Sequence, residues 1–305
     1  MAVAAVPRAR LRSRTARRAV TGYLFLLPAL ALMGVFTFYP FVQGLTLSFQ
    51  SWDGVGSTSW VGVSNYQRVI GDNIFWASLG NAAIFGAVGF VLGNILSLGM
   101  ALAVNSLRRG ATFYRVAYYL PGVFSVVVVG MMFAWILQGS VGILNRALGA
   151  VGLEMLQHRW LTDPSTALPS VALVYVWFHW GFGFLLFLAG LQGVPRELHE
   201  AASIDGAGAW GRFRFVTWPQ LIPVTTIVSV LTLLGALQIF GTVQVLTNGG
   251  PGYLTEVPTL RIYKEGFQFH RFGVAAAMSV VFGSILVALS LVQIWLGRRS
   301  YGEGE

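Results

Sequence analysis

The sequence predicts an all-α polytopic membrane protein with six transmembrane helices and both termini on the cytoplasmic side. Three observations carry this. First, 55% of the 305 residues are hydrophobic and only 10% are charged, where a soluble domain carries about 25% charged residues. So few charges cannot cover a water-exposed surface, and disorder demands the opposite balance. Second, six windows contain no Asp, Glu, Lys or Arg: 19–52, 73–107, 116–145, 164–195, 215–255 and 272–297. Each is long enough for one helix of about 20 apolar residues with some loop. Third, 14 of the 20 basic residues fall on one side of the resulting topology: Arg8, Arg10, Arg12, Arg14, Arg17, Arg18, Arg108, Arg109, Arg115, Arg196, Arg212, Arg214, Arg298 and Arg299. Basic residues near helix ends mark the cytoplasmic side.

The helices are placed near 22–45, 77–105, 116–138, 169–192, 222–246 and 273–297. Runs this long without alternation exclude a β-barrel. Residues 1–21 form a cytoplasmic Arg-rich segment, 22–297 the six-helix domain and 298–305 a cytoplasmic tail. An Arg-rich start also suits nucleic acid or anionic lipid, but an apolar run follows at once, so retention of topology is the simpler reading and no nucleic acid is expected. That run continues from Tyr23 past Val42, longer than the core of a cleaved signal peptide. Gly89 and Gly93 form a small-xxx-small pair that permits close helix contact. Pro121 should kink or unwind the third helix. The outer loops, 45–76, 139–168 and 247–272, hold aromatics suited to the membrane interface.

Several chemistries are excluded. There is no Cys, hence no disulfide or thiolate metal site. The single Lys, Lys264, follows Ile262 and Tyr263, so no phosphate-binding GxxxxGK[ST] loop exists. HExxH and GxSxG are absent, and no catalytic or metal-binding residue is expected. The predicted helices carry no charged residue and one histidine, His179. Proton relays and voltage sensors normally need more. A membrane passage without an internal energy source therefore draws on an external one, or is a passive pore or structural subunit.

The loop 193–223 reads GVPRELHEAASIDGAGAWGRFRFVTWPQLIP. Pro195 can open a helix, Glu197 suits its positive end, and Leu198, Ala201, Ala202 and Ile204 form a small apolar face. Gly206 can stop it in the left-handed conformation. A second short helix is expected from Gly208 to about Thr217, ended by Pro219. Two such helices make a docking surface or an ordinary interfacial amphipathic helix; periodicity alone does not choose.

This segment resembles the EAA loop of bacterial ABC importer permeases. Glu200, Ala201 and Ala202, then Gly206, Val216 and Pro219 match the family pattern; Trp218 stands where the family usually has Leu. WVGVSNYQRV (60–69), YYLPGVFS (118–125), LTNGGPG (246–252) and GVAAAMSVV (273–281) also resemble the maltose and glycerol-phosphate transporter branch. The likeness runs from about Tyr23 to Leu296. It implies a type I importer permease in a bacterial cytoplasmic membrane, forming half of a translocation pathway with a second related permease. Two ATPase subunits, which bind the ATP and Mg, would dock on the EAA loops, and a solute-binding protein would deliver substrate outside. This chain would be no enzyme and hold no cofactor. Glu200, Ala201, Ala202, Asp205, Gly206 and Ala207 would be the ATPase-coupling residues. The rivals are a stand-alone secondary transporter, for which no internal repeat or coupling site is visible, and a membrane scaffold.

A neutral interior favours a neutral solute, and sugars bind through hydrogen bonds and aromatic stacking. A di- or oligosaccharide is expected; a glycerol-3-phosphate or polyol-phosphate importer is the alternative. The candidate pathway residues are Tyr175, Trp177, Phe178, His179 and Phe182 on helix four, with Thr232, Gln238 and Phe240 on helix five. Each aromatic could equally be a packing residue, and His179 fits a packing bond or a substrate contact. Gln238 is expected in mid-helix, where a buried amide needs a partner.

Overall fold

A computed structural model describes residues 23–107 and 109–302. The expectations for the segment 1–21, for Arg108 and for residues 303–305 of the tail lie outside the described residues. In chain order, α1 is Tyr23–Leu47, α2 Ser64–Ile70 and α3 Asn73–Asn105. Then come α4, Ala111–Val123, α5, Val126–Ile136, and α6, Ile143–Ala150. The long α7 is Ala167–Gln192, followed by α8, Arg196–Ile204, and α9, Ala209–Leu237. The chain closes with α10, Gly241–Leu246, α11, Pro258–Tyr263, and α12, Phe272–Gly302. Among the described residues the only strands are β1, Gln50–Ser51, and β2, Ser59–Trp60, pairing Gln50 with Trp60. Five helices are long and apolar enough to cross a membrane, and the pair α4–α5 makes a sixth if counted as one span.

The pair is bent by 92°. Pro121 and Gly122 sit in the short 3-10 turn that ends α4. Proline has no amide hydrogen to continue the ladder, and the Ser125 side chain then caps α5 by accepting from the Val127 amide. The third span is thus broken where the sequence places its kink, but it starts at Ala111 rather than near 116. Arg115 did not bound the helix: a long cationic side chain near a span's end can reach water while its stem stays apolar.

The fifth span departs further from expectation. The predicted short helix ending at Pro219 and the separate span 222–246 are one helix, α9, running through Pro219 and Pro223. A π-turn, Phe213–Thr217, immediately precedes Pro219. Its wider winding loosens the ladder where the ring would otherwise crowd the preceding turn. At the other end α9 stops at Leu237, so the segment to Leu246 is not part of it.

Buried α7 is the centre of the molecule, with Val171, Phe184 and Phe187 among its least exposed residues. α3 and α9 pack on it through two apolar clusters, one around Phe85, Tyr175 and Ala236, the other around Ala101, Phe187 and Val228. A third cluster, Val69, Phe75, Met278 and Phe282, seats α12 against α2 and α3. Glycines allow the close approach: a Cβ on Gly86 would lie 2.9 Å from Leu233 Cδ1, and one on Gly89 3.2 Å from Tyr175 Cε1. The Gly89–Gly93 pair thus faces α7 and α9, inside a π-turn that interrupts α3. By contrast, no residue of α1 is buried.

Candidate functional site: a coupling loop and an intramembrane cavity

Pro195 is the residue that precedes the first turn of α8, extended at φ −60° and ψ 133°, and Glu197 lies in that turn. At the far end Gly206 adopts φ +79°. The Ala207 amide then donates to Ala202 O at 2.9 Å, and the Gly206 amide to Ser203 O at 3.2 Å. This left-handed stop suits glycine because a Cβ would strain it. Arg212, in the first turn of α9, donates from Nη1 to Ser203 Oγ at 3.1 Å and to Ala207 O at 3.4 Å. The loop is therefore tied directly to a membrane-spanning helix.

No residue of α8 is buried. Glu200, Ala201, Asp205 and Gly206 are exposed, Ala202 and Ala207 half-buried. Ile204 is 86% exposed and Trp210 73%. Neither Glu200 nor Asp205 has an ion-pair partner among the described residues. Free charge ringing bare apolar side chains marks a contact surface rather than a finished one.

Within the membrane region a cavity of about 190 Å³ opens between α3, α7 and α9. It brings together Tyr175, His179, Phe182 and Thr232 with Ser97 and Trp180. Tyr175, His179 and Phe182 stand four and three residues apart, which puts them on one helix face. The Tyr175 and His179 rings stack at 4.1 Å between centroids, and His179 Nδ1 lies 2.9 Å from Tyr175 O. Ser97 Oγ donates to Trp180 O at 2.7 Å. The lining offers hydroxyls, an imidazole and aromatic faces, and no charge.

The other expected pathway residues lie elsewhere. Trp177, two residues from Tyr175, faces roughly the opposite way; it packs edge-on against Phe133 and lines a separate apolar cavity. Phe178 is buried, its ring edge-on to His179 and its carbonyl close to Gly122. Phe240 packs edge-on against Tyr263 beyond the end of α9. Gln238 is exposed, caps the C-terminus of α9 and lines neither cavity. The expectation of a mid-helix amide fails because the helix ends beneath it. Gly241 then approaches α5, where a Cβ would lie 2.9 Å from Val126 Cγ1, and Thr259 Oγ1 donates to the freed Ile239 carbonyl.

A charged network on the side opposite α8 escaped the sequence reading. Asp72 caps α3, accepting from the amides of Ile74 and Phe75, and pairs with Arg261 at 2.8 Å. Glu265 takes Arg261 and Arg271, both at 2.9 Å. Lys264 pairs with Glu256 at 2.7 Å and donates to Asn248 O. Asn81 of α3 donates to the Glu256 carbonyl, which ties the loop to the helix. Burial pushes the Glu265 carboxyl above its ordinary range, against the pull of Arg261 and Arg271. The i, i+4 spacing of Arg261 and Glu265 was the available signal; Asp72 and Arg261 are 189 residues apart, and Glu256–Lys264 and Glu265–Arg271, 8 and 6 apart, do not follow a helical i, i+4 spacing.

The arrangement is a bent, proline-broken bundle with an exposed loop helix on one side and an uncharged, largely apolar cavity inside. The chain belongs to the family described as binding-protein-dependent transport system inner membrane component, which matches residues 93–300. It is similar to the lactose transport system permease protein LacF of Rhizobium radiobacter, 34% identical, covering 92% of this chain and 95% of that one. It is likewise similar to the sn-glycerol-3-phosphate transport system permease protein UgpA of Agrobacterium fabrum, 33% identical, with 89% of this chain and 92% of the other covered. Among solved structures it shares its fold with a chain of a bacterial ABC transporter involved in the import of the acidic polysaccharide alginate, at TM-score 0.83 and 23% identity, covering 95% of this chain and 99% of that one. The protein is thus a multi-pass membrane protein with the fold of ABC importer permeases.

Proposed function

We propose that this chain forms half of the pathway of a sugar importer, taking a di- or oligosaccharide from an extracytoplasmic binding protein and coupling its passage to ATP hydrolysis by separate subunits. α8 is the observation that supports the coupling: a helix with no buried residue, hydrogen-bonded through Arg212 to the span that lines the cavity. An ATPase subunit seated on Glu200 to Ala207 would turn its closure into movement of α9. The second related permease would complete the pathway on the open side of the α3–α7–α9 cavity. The uncharged cavity lining and the likeness to a lactose permease support a neutral sugar. The orientation follows from the basic residues, with α8 in the cytoplasm of a bacterial inner membrane.

The test is the assembled transporter in proteoliposomes, assayed for uptake and for ATP hydrolysis stimulated by loaded binding protein. Glu200→Lys should keep assembly in the membrane and abolish stimulated uptake. Normal uptake with full assembly would remove α8 as the coupling helix. Likeness to UgpA sustains glycerol 3-phosphate as the second reading; uptake of that ester in preference to disaccharides would establish it.

A further inference from the structure

We infer that a second, polar cavity on the side opposite α8 is an entry subsite for a hydroxyl-rich solute, presenting a cation to any acidic group the solute carries. The inference rests on the importer reading above. This cavity, about 450 Å³, lies between the end of α5, the segment around Arg159 and the segment from α10 to Pro251. Its size suits a small molecule.

Gln138, Arg159, Thr162, Gln244 and Asn248 supply its polar lining. No side chain of these five makes a hydrogen bond or ion pair among the described residues. The frame around them is, in contrast, fully engaged. Buried Asn145 donates to Gly139 O at 2.7 Å and His158 O at 2.8 Å, and accepts from Trp160 Nε1 at 2.7 Å. These bonds fix the backbone on both sides of Arg159. Gly139 allows the close approach, since a Cβ there would lie 2.9 Å from Arg159 Cγ. Thr247 is bonded to Thr255, and Lys264 holds the Asn248 carbonyl. The backbone frame is held by these bonds, while Gln138, Arg159, Thr162 and Asn248 are exposed and open to a solute.

The chemistry of the set selects the ligand. Guanidinium has five donors and no acceptor, while each amide offers both. Of the nearby charges, Lys264 is paired with Glu256, and Asp163, whose two hydrogen bonds from Ser165 hold its carboxyl below the usual range and so ionised, makes no ion pair with Arg159. Arg159 is left without a counter-charge, so the cavity suits hydroxyl, carboxylate or phosphate oxygens and disfavours an ammonium group. Leu161 and Leu246 add apolar surface for a sugar's C–H face.

The native chain has no cysteine, so Thr162→Cys in the assembled transporter can be alkylated from outside by an impermeant maleimide without background. With binding protein present throughout, the transported solute should slow this alkylation and leave Ser57→Cys, on the exposed hairpin loop, unaffected. Maltose and glycerol 3-phosphate serve as the two probes, separating hydroxyl from phosphate recognition. Arg159→Gln should weaken the protection and raise the apparent KM by about 2- to 10-fold, the loss of one or two hydrogen bonds. Arg159→Lys should restore part of both. Normal transport with an unchanged alkylation rate, or equal slowing at Ser57→Cys, would overturn the subsite. Failure of the native complex to transport either probe or any other hydroxyl-rich solute would remove the importer reading itself.

Discussion

The cap around Asp72, Glu256, Arg261, Lys264 and Glu265 and the loop helix α8 both carry acids and bases, yet only the cap buries them. Glu256 is 0% exposed and Glu265 1%, each paired within the chain. α8, with Arg196, Glu197 and Glu200, buries nothing. Charge taken out of water demands a partner at once, so each carboxylate of the cap is ion-paired within the chain, although Glu256 Oε1 has no hydrogen-bond partner among the described residues. Charge left in water can wait for a partner from another chain. The difference separates a region whose charges are paired internally from one whose charges remain open to solvent.

The strongest break of this contrast is at Lys264. Lys264→Met strands the Glu256 carboxylate in the interior and should cost about 3–5 kcal/mol, seen as a lower unfolding temperature or lost yield in detergent. Wild-type stability in that variant would show that the cap is not held by its ion pairs. Next is Gly206→Val, which places a β-branched residue at φ +79°. The local strain of about 1–2 kcal/mol should leave the bundle intact, because nothing in α8 supports it, while stimulated uptake collapses. A large drop in thermal stability would mean that α8 is structural after all.

A smaller effect separates the cavity from the end of α9. Thr232→Val removes a hydroxyl from the cavity and should weaken apparent affinity by about 0.5–1.5 kcal/mol, a several-fold change. Gln238→Ala, at an exposed helix end, should change affinity less; the reverse order in reconstituted transporter would move the pathway to the α9–α10 break. The smallest effect is expected for Arg271→Gln. Its side chain is 50% exposed, so the bond to Glu265 should contribute below about 1 kcal/mol. A loss comparable to that of Lys264→Met would extend the cap's buried network to the start of α12.

Much of the fold was legible because lipid imposes a composition that shows in one dimension. The charge-free windows fall on the five long apolar helices and on the bent pair α4–α5, Pro121 marked the break between α4 and α5, and Gly206 marked the stop of α8. Legibility failed where a boundary was read from a charge or a proline alone. Arg115 lies inside α4, and Pro219 lies inside α9, two residues past the π-turn Phe213–Thr217. In the cavity, the four-residue spacing of Tyr175 and His179 was visible, while the exclusion of Trp177 and Phe178 needed the angular position of each on α7 and the neighbours it meets.

By itself the sequence determined the all-helical membrane class, where the apolar helices lie and the helix stop at Gly206, because hydrophobicity, charge and backbone preference act over a few residues. Only the tertiary structure decided that Asp72 meets Arg261 across 189 positions, that α9 ends beneath Gln238, and that Gln138, Arg159 and Gln244 share one cavity. Those juxtapositions depend on how helices pack, which is set by glycine contacts and buried pairs between distant segments, and no window along the chain contains both halves of such a contact.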